Sequence, residues 1–275
     1  MTFLNDFPDY RFLCLFTILP ENRFANNLPK VPFTFSHPAV VLPLGALPRR
    51  WISLSGLVAG SVAPDFEYFL RLKAITLYSH TWKGIFWFDL PLAVALILVF
   101  HLIIKKPLIG NLPDFVSCRL TPFIGFDWLA YFRKHIPVVV LSAVLGAASH
   151  ILWDGFTHEN GIFLSRFPWL SREIHLPGKT ILVYSLLQYL SSAAGAVFIL
   201  ALILRLPKDR NFEPNNAILH FWFSVGLVSL VVVATRFFAG LGSKPAANLI
   251  VAAVAGACAG IFFTSLVKGI EFRKE

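Results

Sequence analysis

What most constrains this chain is a series of apolar runs, each close to the roughly 20 residues that an α-helix needs to cross a bilayer core. They run from about Ile52 to Leu70, Ile85 to Ile104, Ile181 to Leu204, Ala217 to Phe238 and Ala246 to Val267, and another from Ile136 to Ala148 leads into His150. Backbone facing lipid must satisfy its own hydrogen bonds, which leaves helices or closed barrels, and no regular alternation over about ten residues marks barrel strands. Composition agrees, with 56% hydrophobic and only 14% charged residues, against roughly 25% charged in soluble domains. The expected fold is all-α, a polytopic membrane bundle of about six spans preceded by a short N-terminal half-helix.

The net charge of +9 does not point to nucleic acid, because the basic residues sit in short loops between apolar runs, as the positive-inside rule describes. Membrane lipid is the expected partner. From residue 31 onward, the side that carries Arg49 and Arg50 holds thirteen Lys and Arg against eight on the other, which assigns it to the cytoplasm. The three cysteines, Cys14, Cys118 and Cys258, are far apart and form no C-x-x-C pair, so neither a disulfide framework nor a thiolate metal site is indicated. Residues 1–30 are mixed in character and Asn-rich, and the chain changes abruptly at Val31. The expectation is an N-terminal extension, with translation able to begin at Val31, followed by one membrane-embedded domain over 31–275.

One stretch concentrates polar groups where they are costly. His150, Asp154 and His158 recur every four residues at the end of the fourth hydrophobic segment, which places them on one helical face. A buried carboxylate between imidazoles must be paired or ligated, and this donor set suits zinc, with manganese or iron as further options. Further candidates are His37, Asp65 and His80. If the segments before and after Trp51 form a tight antiparallel hairpin, His37 comes opposite Asp65. The topology above gathers Asp65, His80, His150, Asp154 and His158 at the extracytoplasmic ends of their elements, with His37 joining them if its helix enters from that side.

Six such groups could hold one or two divalent ions. Asp65, His80, His150 and Asp154 are assigned to the first, and His37, Asp154 and His158 to the second, with Asp154 bridging. Asp65 and Asp154 are the expected catalytic carboxylates, with Glu67 as general base or supporting group, although on a regular helix it points away from Asp65. Gln188, Ser185, Ser191 and Ser192 make a polar stripe that could face the same cavity. Asp89 reads as an internal hydrogen-bond partner and His101 as interfacial. Gly256-x-x-x-Gly260 suits close helix packing. A bridged pair of ions acidifies water and clamps phosphoryl oxygens, which suits phosphoester hydrolysis; the non-catalytic alternative is a His/Asp cluster that is structural, or that binds metal for sensing or transport.

Pro32-Phe33-Thr34-Phe35-Ser36-His37-Pro38-Ala39, Gly60-Ser61-Val62-Ala63-Pro64-Asp65, Ser79-His80 and the run Ser149 to His158 together resemble a bacterial membrane family catalogued as domain of unknown function 4184. The resemblance covers about residues 31–205. It implies a multi-pass protein of the bacterial cytoplasmic membrane, and it supports Val31 as the start, since members commonly open with Met-Pro-Phe-Thr-Phe-Ser-His-Pro. In the order His, Asp, His, then His-x-x-x-Asp, that family is similar to membrane-bound metal-dependent hydrolases, and more distantly to the zinc-dependent phospholipase C and P1 nuclease group. The order falls on His37, Asp65, His80, His150 and Asp154, with His158 as a further ligand, and implies a phosphoester or a lipid or envelope substrate. The later His-x-x-x-Glu pair of the soluble enzymes has no counterpart here.

Overall fold

The computed structural model of the chain describes residues 33–271, except Gly178 and Asn216. The expected extension over 1–30 and the proposed start at Val31 lie outside the described residues. The described chain opens with a 3-10 turn (Thr34–Ser36), one turn of α-helix, α1 (Pro38–Val41), and a second 3-10 stretch (Leu42–Ala46). This is the expected half-helix. Pro38 suits a first turn, whereas Pro43 removes a donor that a longer helix would need. Ser36 donates its hydroxyl to the Phe33 carbonyl at 2.7 Å.

After the Arg49-Arg50 turn, Ser53 caps α2 (Leu54–Arg71), its side chain accepting from the Gly56 N–H. A loop leads to one helical run, Ile85–Gly110, in which α3 (Leu90–Val99) and α4 (Lys105–Gly110) alternate with the π-helical turns Ile85–Asp89 and Phe100–Ile104. Two short helices, α5 (Asp114–Leu120) and α6 (Trp128–Lys134), precede α7 (Ile136–Thr157). After α7 comes a small antiparallel hairpin of β1 (Glu173–Leu176) and β2 (Lys179–Leu182). The chain then continues through α8 (Val183–Arg205), α9 (Ile218–Phe238) and α10 (Pro245–Glu271).

Among the described residues, five helical runs are long and apolar enough to cross a membrane: Ile85–Gly110, Ile136–Thr157, Val183–Arg205, Ile218–Phe238 and Pro245–Gly269. The protein is therefore a multi-pass membrane protein. The sixth expected span, α2, lies enclosed by these runs and parallel to one of them: its 18 residues include Asp65, Glu67 and Arg71, and eleven of them are buried, so α2 is the polar-tipped centre of the bundle.

What sets the geometry at this centre is the closeness of α2 and α7. A Cβ added to Gly60 would stand 2.0 Å from the Ala143 carbonyl oxygen, and one on Gly146 would stand 2.3 Å from that of Leu57. Hydrogen therefore has to occupy both positions, and small residues let helix backbones meet where apolar burial drives little association. The two helices run parallel, since Gly56 meets Val139 and Ser142 while Gly60 meets Ala143. Their C-terminal ends thus lie together. Gly256 and Gly260 perform the same service further on, against Ser229 and Val225 of the antiparallel α9.

The loops at this end of the bundle are pinned to one another. Ala74 donates its N–H to Asn248 Oδ1 at 2.7 Å, and Arg236 donates to the carbonyls of Leu72, Gly240 and Leu241. The residues at the end of α2, the end of α7, the start of α8 and the start of α10 consequently share one surface. Gly60→Ala should cost about 1–3 kcal/mol through overpacking. The expected outcome is a lower melting temperature in detergent, read by intrinsic fluorescence, whereas an Ala substitution at exposed Gly226, which has open space around its Cα, should leave it within a degree or two.

Candidate metal centre

Three elements deliver the four groups at the centre of this surface. Asp65 comes from the last turns of α2, His150 and Asp154 from α7, and His80 from the loop between α2 and the 85–110 run. Asp65 and His150 are fully buried, and Asp154 nearly so. His80 Nε2 stands 3.3 Å from Asp65 Oδ1 and 3.3 Å from Asp154 Oδ2. His150 Nε2 stands 3.4 Å and 3.3 Å from the same two oxygens, and 3.3 Å from His80 Nε2. Four atoms thus converge on one point, and this group could hold a metal ion.

The spacing is informative. Ligands about 2.0–2.1 Å from a tetrahedral zinc stand roughly 3.3–3.4 Å from one another. Five of the six edges joining these four atoms fall in that interval. Neither oxygen of Asp65 has a hydrogen-bond partner, nor has Asp154 Oδ1, although buried carboxylates are costly when unsatisfied. The donor set therefore fits a divalent cation.

Both imidazoles are turned by what holds their other nitrogen. His150 Nδ1 lies 2.7 Å from the Ser61 carbonyl. A carbonyl can only accept, so Nδ1 carries the proton and the Nε2 lone pair faces the centre. Ser61 follows Gly60, so the close helix contact also sets this bond. His80 Nδ1 lies 2.9 Å from Ser79 Oγ, which donates to Glu67 Oε2 at 2.8 Å. The chain Glu67–Ser79–His80 thus assigns the proton to Nδ1 and leaves Nε2 bare. Burial alone would lower the pKa of His80, but the Asp154 and Asp65 carboxylates outweigh it and raise it. A proton and a cation compete for the same lone pair.

His80 has a backbone φ of +57°, a region that a non-glycine residue occupies only when its surroundings insist. Glu67 supplies the insistence. Its carboxylate accepts the backbone N–H groups of Leu77, Tyr78 and Ser79 at 2.9–3.1 Å, the Ser79 hydroxyl, and Arg71 Nε at 2.7 Å. It is therefore committed to the loop that presents His80. Of the two sequence readings of Glu67, general base or supporting group, these bonds favour the second, although no local pattern signals a carboxylate whose partners lie ten to twelve residues downstream.

The remaining candidates surround Asp154 Oδ1. His37 Nε2 lies 3.7 Å from it and His158 Nδ1 3.4 Å. The ion pair that His37 makes is thus with Asp154, where the simple hairpin register placed it opposite Asp65. Its ring stacks on His150 with centroids 3.8 Å apart. His158 Nε2 meets the Gln188 amide at 3.1 Å. One carboxylate therefore turns Oδ2 toward His80 and His150, and Oδ1 toward His37 and His158. Gln188, Ser191 and Ser192 of the polar stripe line a cavity with His37 and Asp154. One other reading is corrected: both oxygens of buried Asp89 lack the expected hydrogen-bond partner. His101 meets Ser55 Oγ at 2.8 Å and stacks on Trp128.

Replacing Glu67 by Gln, or Ser79 by Ala, should weaken the hold on His80 without touching the four converging atoms. Supporting groups of this kind typically contribute 10–100-fold to metal affinity. Zinc titration of the purified variants should show a loss of that size, with an unchanged helical circular dichroism spectrum.

Comparison with curated proteins and with solved structures yields no match. Comparison with protein families yields one, and it spans the half-helix, the converging His/Asp group and all five membrane-spanning runs. The chain belongs to the family described as a domain of unknown function, DUF4184, which matches residues 31–270.

Proposed function

We propose that the protein is an integral-membrane, metal-dependent hydrolase that cleaves a phosphoester or related bond in a lipid or envelope substrate at the extracytoplasmic surface. The observation that carries this reading is the near-tetrahedral spacing of Asp65, His80, His150 and Asp154, beside a carboxylate oxygen and two further imidazoles at a cavity wall. The order of these residues along the chain, similar to that of membrane-bound metal-dependent hydrolases, points the same way. Zinc suits the donor set best, with manganese or iron as alternatives.

When bound, a divalent ion supplies Lewis acidity toward a phosphoryl oxygen and acidifies water. Asp65, His80, His150 and Asp154 would hold it. Asp154 Oδ1, with His37 and His158, would hold a second ion or carry a proton. Hydrolysis joins a water oxygen to phosphorus, breaks the bond to the leaving alcohol oxygen and moves a proton from the water to that oxygen. Asp154 Oδ1 and His158 lie at the open side of the group, where such a proton has to pass. Glu67 acts through His80 as a positioning residue. The excess of basic residues at the Arg49-Arg50 end supports a site on the outer side.

A second reading has its own support. Four protein ligands make a closed set, the pattern of structural ions, whereas catalytic ions keep a position open. A structural or sensing ion would leave the same metal content and no hydrolysis.

Metal analysis by mass spectrometry on detergent-purified protein tests the shared premise. Wild type should carry one or two equivalents of zinc, manganese or iron, and His150→Ala and Asp154→Ala should each lose the first while keeping their helix content. Absence of metal after reconstitution would overturn both readings. Turnover of chromogenic phosphoesters by wild type, lost by at least about 100-fold in Asp154→Ala, separates the hydrolase from the closed structural ion.

A further inference from the structure

The His/Asp group stands between two cavities that differ in setting and in polarity. One, about 340 Å³, runs between α1, α7 and α8; the other, about 800 Å³, opens among the loops at the end of the bundle. Asp154, Thr157, His158 and Gln188 line both, so a molecule occupying the two together must pass these residues.

The smaller cavity changes polarity along its length. Its α8 wall reads Gln188, Ser191 and Ser192, then Ala194, Gly195 and Phe198. These positions follow one helical face, and from Gln188 to Phe198 the helix rises about 15 Å. The polar end adjoins Asp154, and the apolar end lies deep in the span Val183–Arg205. Val40 and Phe198, which line this cavity, are 49% and 38% exposed, and neighbouring Val197 is 68% exposed. In a membrane, surface exposed at that depth meets lipid chains. The slot is therefore open sideways to hydrocarbon. The larger cavity also has apolar wall, including Ile75 and Ile162, but it adds Asn160, Ser243, Lys244 and Glu159, and it faces the loop surface.

Resting on the hydrolase reading, we infer that the substrate is a bilayer lipid phosphoester. Its apolar chain enters the α1/α8 slot from the side, its phosphate sits at Asp154 and its headgroup fills the outer cavity beside Lys244. A soluble phosphoester would leave the slot unfilled. Lys244 supplies the cationic partner for the anionic headgroup, as a point charge at the mouth of the outer cavity.

The test uses full-length protein in nanodiscs and a non-hydrolysable probe, a hexadecylphosphonate carrying a mid-chain diazirine. After photolysis, peptide mass spectrometry should find crosslinks on residues 39–40 and 194–198. Ala194→Phe, which fills the slot from an exposed position, should reduce those crosslinks at least about tenfold while metal content stays at the wild-type level. Lys244→Ala should weaken probe binding several-fold, and butylphosphonate should not compete with the long-chain probe. Val40→Trp fills the slot from the opposite wall and serves if Ala194→Phe loses its metal. Crosslinks indifferent to both fillings, or butylphosphonate competing as well as the long chain, would overturn the inference. Because the probe reports binding alone, slot labelling without turnover would fault the hydrolase reading, and turnover of soluble phosphoesters without slot labelling would fault the lipid substrate.

Discussion

The contact between α2 and α7 is the constraint on which the rest depends. Hydrogen at Gly60 and Gly146 lets two backbones approach until a methyl group would collide with a carbonyl. That approach brings the Ser61 carbonyl within 2.7 Å of His150 Nδ1 and sets Asp65 and His150 on the same point. A polar centre inside a membrane bundle is costly unless its members satisfy one another or a ligand. The tight helix pair excludes water and hydrocarbon alike from Asp65 and His150, and the cost falls on carboxylate oxygens that find no hydrogen donor. A cation removes that cost.

Around this helix pair the supporting parts each have one task. His80 arrives on a loop that would not hold its left-handed backbone unaided, and Glu67 gathers three consecutive N–H groups to keep it there. Asp154 divides its two oxygens between the buried pair of imidazoles and a pair at the cavity wall. The half-helix α1 adds His37 by stacking it on His150. Gly195 lets α8 lie close to this segment, since a Cβ there would stand 2.9 Å from the Ser36 carbonyl. The site thus joins the helix pair to the His80 loop and to α1, between an outer cavity and a slot into the membrane.

Much of this was legible in the residues because it is local. A four-residue repeat of His150, Asp154 and His158 needs only a helix to bring its members onto one face, and spans of about 20 apolar residues announce themselves. Relations that depend on packing were harder to read. The hairpin register set His37 against Asp65, but the 3-10 geometry of residues 42–46 breaks the regular pairing and the ring meets Asp154 instead. Helix α2 reads as a sixth span because its first three turns are apolar; its charged last turns make it the bundle's centre. Gly56-x-x-x-Gly60 went unremarked while the corresponding pair in α10 was noted, because small residues signal contact without naming the partner. Glu67 was read by its distance from Asp65, although its purpose lies in a loop that only the folded chain brings to it.

The claim at the heart of this account is that Asp65, His80, His150 and Asp154 ligate one ion. Zinc K-edge X-ray absorption on the reconstituted protein tests it most directly. The account predicts four nitrogen or oxygen neighbours at about 2.0–2.1 Å, with the outer-shell scattering of two imidazoles, and loss of one imidazole in His80→Ala. Sulfur scattering at about 2.3 Å, or a shell of water oxygens without imidazole, would contradict it.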